Sequence, residues 1–131
     1  MGWTFLRHND VLRIHTRVIQ LFGGGEGIRD EGALSSALTA AENRVHYENA
    51  DLAACAATYA YHLTQAHAFV DGNKRVAAAV AEVFLKINEA QLVATNEQVV
   101  TLFLNIAAGS LSRQQVEDLF RSWIMTLRDK S

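Results

Sequence analysis

The sequence predicts an all-α fold, a compact bundle of about six helices, on three observations. Apolar residues recur at three- and four-residue spacing along most of the chain. Two alanine-rich runs, near 52–67 and 74–87, have the composition of buried helices that let neighbours approach closely. Two boxes, Thr95 with Gln98 and Ser112 with Gln115, carry the spacing that starts a helix. The 131 residues, 50% hydrophobic and 20% charged, suit one domain spanning 1–131 and are too apolar for a disordered chain.

Taken in order, residues 3–6 read as a small strand. Residues 10–22 form the first helix, with Val11, Ile14, Val18 and Phe22 on one face. Gly23, Gly24 and Gly25 stop it, and 23–30 is the most flexible-looking loop. Asp30 can cap a short helix carrying Leu34, Ala37, Leu38 and Ala41, ahead of a polar stretch at 42–50. The alanine-rich run that follows, to about His67, is the central buried helix, and after a break at 68–73 a second one runs from about Lys74 to Ile87. Residues 91–94 are extended or loop. The boxes then open a helix with Val99, Leu102, Phe103 and Ile106, closed by Gly109, and another with Val116, Leu119, Phe120, Trp123, Ile124 and Leu127. No proline occurs anywhere, so glycine, asparagine and aspartate supply the punctuation.

Several function classes are excluded. The net charge of −2 lacks the basic surplus of a phosphate-contacting domain, so no direct DNA binding is expected. The longest apolar stretches are interrupted by histidine, glutamate or lysine and are too short for a membrane span. The N-terminus turns charged by residue 7 and has no signal-peptide core. Cys55 is the sole cysteine, which forbids an internal disulfide and suits a reducing cytoplasm. There is no P-loop, no HExxH and no zinc set. Cys55 and His62 lie seven apart on one helix, but a thiol on an apolar helix reads as packing.

Residues 67–75, HAFVDGNKR, break a rule. Asp71, Gly72 and Asn73 make a turn into a helix whose first turn holds Lys74 and Arg75. Helix N-termini carry partial positive charge and favour acidic neighbours. Two cations there ask for an anion, and backbone N–H groups beside a glycine complete a phosphate cradle. His67 ends the preceding helix and is the side-chain type best suited to general-base work near neutrality. Asp71 offers a carboxylate for Mg2+ or for orienting a hydroxyl. Phe69 can plug the core and fix the loop. Base, carboxylate and cradle within nine residues spell phosphoryl or nucleotidyl transfer to a hydroxyl.

The run resembles the signature of the Fic/Doc family: His, any, Phe, any, acidic, Gly or Ala, Asn, a variable residue, Arg. His67, Phe69, Asp71, Gly72, Asn73 and Arg75 fit it. Residues 11–38 and 105–112 are similar to the N-terminal region and C-terminal link of the Doc, or death-on-curing, toxin branch. The resemblance implies an all-α bundle with the motif spanning a loop and the N-terminus of a central helix. It implies that His67 takes the proton of a target hydroxyl, that Asp71 is a catalytic residue holding Mg2+ or the reacting groups, and that Gly72, Asn73, Lys74 and Arg75 bind phosphates. A flap before the motif docks the target protein in the family, and the loop 23–30 is a candidate for part of it. AMP-transferring members carry glycine where Lys74 stands and a second arginine where Ala78 stands. Lysine at the first position belongs to the Doc branch, known as ATP-dependent protein kinases that act on elongation factor Tu. The expected function is therefore a Mg-ATP-dependent kinase toxin with Lys74 among its catalytic residues. It would arrest translation in the bacterial cytoplasm, held in check by a small antitoxin folding onto a surface groove. An adenylyltransferase and a catalytically idle antitoxin-binding paralogue are the alternatives. Members often carry proline where Ala68 stands, so this loop relies on Phe69 and the turn at 71–73 for its shape.

Overall fold

The computed structural model describes residues 2–127, and among them contains six helices and one small two-stranded sheet. The all-α expectation holds. Helix α1, His8–Phe22, buries Val11, His15, Val18 and Ile19. Phe22, expected on that apolar face, is instead exposed at the last turn. The preceding residues 3–6 do not form the expected strand. Side chains rather than a neighbouring strand meet their backbone. Asn88 accepts from the Thr4 N–H at 2.8 Å and donates to its carbonyl at 2.9 Å, while the Tyr59 hydroxyl accepts from the Leu6 N–H.

Helix α2, Glu31–Glu48, starts where expected, with Asp30 accepting from the Ala33 N–H at 2.9 Å. It is not short: it continues through the stretch read as polar and ends at Asn49, whose φ of 54° is left-handed. The reason is Arg44. Its guanidinium turns inward, donating to Glu117, to the Thr58 hydroxyl at 3.2 Å and to Glu48 at 3.3 Å. A residue that looks solvated in the sequence thus extends the buried face by a full turn.

Helix α3, Leu52–Ala66, is the hub. It packs against α2 and against three helices that follow it: α4, Asn73–Ile87; α5, Asn96–Ala107; and α6, Arg113–Trp123. Its small residues Ala53, Ala56, Ala57 and Ala60 are buried, which admits the neighbours on several sides at once. Asp51 caps it, accepting from the Ala54 N–H at 2.9 Å, and takes a bidentate pair from Arg121 of α6 at 3.1 Å. Those hydrogen bonds hold the Asp51 carboxyl below the usual aspartate range. Helix α4 lies between α3 and α1, burying Val76, Ala77, Val80, Ala81, Phe84 and Leu85.

Both capping boxes close as the spacing predicted, each with side chain and backbone bonds between 2.8 and 3.1 Å. The last helix ends earlier than expected. Ile124 and Leu127 leave it, because Ile124–Thr126 (β2) pairs antiparallel with Ala90–Leu92 (β1), Leu92 opposite Ile124. The segment read as extended thereby finds a backbone partner, which a helix running on to 127 would have denied it. Among the described residues, no helix is long and apolar enough to cross a membrane.

Candidate active site

The motif occupies the corner between α3 and α4. His67 is the C-cap of α3, exposed, at φ 48° and ψ 42°. Left-handed backbone at a residue with a Cβ costs on the order of 1 kcal/mol and persists where the surroundings impose it, typically at functional sites. Ala68 and Phe69 then turn inward and are buried. Asn73 ties the turn shut: its Oδ1 accepts from the Phe69 N–H and its Nδ2 donates to the Phe69 carbonyl, both at 3.0 Å. The side chain of Asn73 is thus committed to loop shape, and what it can offer an anion is its backbone N–H.

Asp71 is exposed, with Oδ2 accepting from the Gly25 N–H at 2.6 Å. Gly72, at φ 81°, is the N-cap of α4, and no side chain caps that helix. A Cβ at Gly72 would stand 3.4 Å from both Ile19 and Val18, so α1 lies directly beneath the turn. Lys74 and Arg75 are exposed on the first turn. The Arg75 guanidinium lies 4.4 Å from the centroid of the Phe22 ring, which explains the exposed aromatic at the end of α1. Ala78, one turn on, is half-buried against the core.

The loop 23–30 is held far more firmly than its glycines suggested. Ile28 forms a backbone bridge with Phe69. The Ala68 carbonyl accepts from the Arg29 and Asp30 N–H groups at 2.7 and 3.0 Å, and Val70 donates to the Gly27 carbonyl at 3.1 Å. A Cβ on Gly24 or Gly25 would come within 3.0 Å of Asp71 or Val70. The glycines therefore allow close approach to the motif carboxylate. This loop, not proline, braces the segment around Ala68.

The structure brings His67, Phe69, Asp71, Gly72, Asn73, Lys74 and Arg75 to one corner. It adds two residues that sequence reading did not place there, His15 and Phe22, and sets Gly24 and Gly25 of the expected flap loop directly against the motif. Only His15 carried a signal, a histidine interrupting the apolar face of α1. It is 5% exposed, its ring stacks on Phe69 with centroids 4.1 Å apart, and its Nε2 is 3.1 Å from the Asp71 carbonyl. Cys55 and His62 form no second site. Burial pushes the Cys55 thiol up to about 12, which suppresses the thiolate. Burial, with Arg113 and Arg44 nearby, lowers His62.

Among the described residues, no group of three or more histidine, cysteine or acidic side chains could hold a metal by itself. Asp71 retains Oδ1 beyond its bond to Gly25. One carboxylate oxygen fits Mg2+, an ion usually shared between one or two carboxylates and substrate phosphates.

The sequence that builds this corner has a match among known proteins. The sequence profile described as the Fic/DOC family fits residues 5–85, which include α1, the glycine loop and the whole motif. The chain belongs to the Fic/Doc family. It is similar to "Protein kinase doc" of Escherichia phage P1, 32% identical over 120 residues covering 88% of this chain and 94% of that protein. It is also similar to "Toxin Doc" of Mycolicibacterium smegmatis, 43% identical over 75 residues, 56% of this chain and 58% of that one. The likeness is thus to Doc toxins in particular, and the transferase chemistry of the Fic/Doc fold is the general setting for the corner described above.

The contact under Arg75 yields a first expected result. Phe22→Ala removes the ring on which the guanidinium rests, an exposed cation–π contact worth about 0.5–1 kcal/mol. If the site binds a nucleoside triphosphate, its affinity by calorimetry should fall roughly two- to fivefold, with Tm lowered by no more than a few degrees. Wild-type affinity in this variant would show that Arg75 keeps its place without the ring.

Proposed function

We propose that this chain is a Doc-type toxin that transfers the γ-phosphate of Mg-ATP to a hydroxyl of a translation factor, elongation factor Tu being the expected target. The observation that carries the reading is the uncapped N-terminus of α4, flanked by Lys74 and Arg75 and bordered by Asp71 and His67. Backbone N–H groups at 73–75 and the two cations would receive the phosphates. His67 would take the proton of the target hydroxyl as its oxygen bonds to the γ-phosphorus. The bond from that phosphorus to the β,γ-bridging oxygen breaks, and ADP leaves. Asp71 would hold Mg2+ together with phosphate oxygens, and when bound the ion supplies charge neutralisation.

Lys74 supports phosphoryl rather than adenylyl transfer. A long cation occupies the turn where a glycine would leave the nest open, and Ala78 offers no second guanidinium. In this reading the toxin acts in the bacterial cytoplasm, and a small antitoxin, disordered until it docks on a groove of the toxin, silences it.

Incubation with ATP, Mg2+ and elongation factor Tu, followed by intact-mass measurement, tests the reading. The target should gain the mass of one phosphate. Gain of one AMP instead makes the chain an adenylyltransferase. If no protein of a cell lysate is modified and expression is harmless, the chain is an idle, antitoxin-binding paralogue.

A further inference from the structure

We propose that His15 is a positioning residue that locks the Asp71–Gly72 peptide in the orientation an anion needs; this rests on the phosphate-binding reading of α4. A carbonyl oxygen only accepts, so the 3.1 Å contact from Nε2 to the Asp71 carbonyl requires the proton on Nε2. The ring is buried at 5% exposure and lies 9° from parallel with Phe69. Phe69 is itself clamped through its backbone by Asn73. The imidazole is therefore held in plane and in reach of one atom of the motif.

That atom belongs to a peptide with a choice. Gly72 sits at φ 81° and has no Cβ. A half-turn of the peptide before it moves Gly72 to a negative φ, and glycine takes either conformation at similar cost. A flip exchanges the faces on which the peptide shows its N–H and its C=O. In the observed state the carbonyl faces α1 and His15, so the N–H faces the open side. In the flipped state an acceptor would stand on that open side, where an incoming phosphate needs donors. His15 with its proton on Nε2 stabilises the first state. The same ring in the other tautomer would accept from the Gly72 N–H and stabilise the second. The residue touches neither nucleotide nor target: it acts through the peptide.

His15→Phe and His15→Gln separate the lock from the packing. Phenylalanine keeps the stack on Phe69 and removes the donor. Glutamine keeps a donor of similar reach and removes the ring. His15→Phe should retain wild-type Tm, lose ATP affinity by about tenfold as the competent state is depopulated, and show two backbone amide signals for Gly72 in NMR spectra. His15→Gln should lose Tm and keep ATP affinity within about twofold. In the wild type, the 15N spectrum should show His15 Nε2 protonated. Wild-type ATP affinity in His15→Phe, or affinity that follows Tm in both variants, overturns the lock. If the two variants show this pattern yet the wild type transfers neither phosphate nor AMP, the lock stands and the kinase reading falls. A wild type that binds no ATP removes both.

Discussion

On the proposed kinase reading, His67→Asn should cut phosphoryl transfer about 10^2- to 10^4-fold and relieve growth arrest while leaving the protein folded at its normal temperature. Asparagine is the informative replacement, because the position is left-handed at φ 48° and asparagine tolerates that conformation better than alanine. His67→Ala removes the imidazole and also strains the backbone at the end of α3, so its loss of activity has two readings. Loss of a positioned general base costs about 10^2- to 10^4-fold in rate. Both variants should fall into that range, with Tm lowered only in the alanine variant. A His67→Asn protein that still modifies its target would remove the imidazole from the mechanism and leave position 67 as a turn residue alone.

Glu117→Ala should lower Tm by roughly 6–12 °C. Its side chain is 5% exposed and that of Arg44 12%, so the two charges are paired away from water, between α2 and α6 and against Thr58 of α3. Removing one partner of a buried pair leaves an uncompensated charge and costs about 3–5 kcal/mol. Glu48 remains beside Arg44 at the half-exposed end, which places this case at the lower figure. For a chain of this length about 3 kcal/mol corresponds to roughly 6–12 °C. Thermal unfolding followed by circular dichroism checks it, and a drop below about 3 °C would show that the pair roughly offsets its own desolvation.

The same pair shows why part of the fold was not legible in the sequence. Apolar spacing revealed α1, α3, α4 and α5 because most of their buried positions are alanine, valine, leucine, isoleucine and phenylalanine. It stopped α2 too soon because the last buried turn is made by arginine, whose partner lies 73 residues away. It ran α6 too far because Ile124 and Leu127 continue the apolar period, while the backbone demand of Ala90–Leu92 draws that segment into a strand. The site divides in the same way. The motif was legible because its residues are contiguous and its two cations violate the local preference of a helix N-terminus. The roles of His15, Phe22, Gly24 and Gly25 were not, because they exist only across tertiary contacts. A glycine kept for closeness to a carboxylate looks in sequence like a glycine kept for flexibility.

The bracing of the motif by α1 and the glycine loop also sets when the site comes into being. Gly25 meets Asp71 across 46 residues, and His15 reaches it across 56. The hairpin of α3 and α4 contains the complete nine-residue signature and is joined by local contacts, which form quickly. Its reactive groups nonetheless gain their arrangement only when a segment made much earlier closes onto it. During synthesis α1 leaves the ribosome first and must await the motif. A nascent chain that carries every motif residue therefore still lacks an assembled site until long-range folding is complete; on the proposed toxin reading, that delay leaves time for an antitoxin to arrive first.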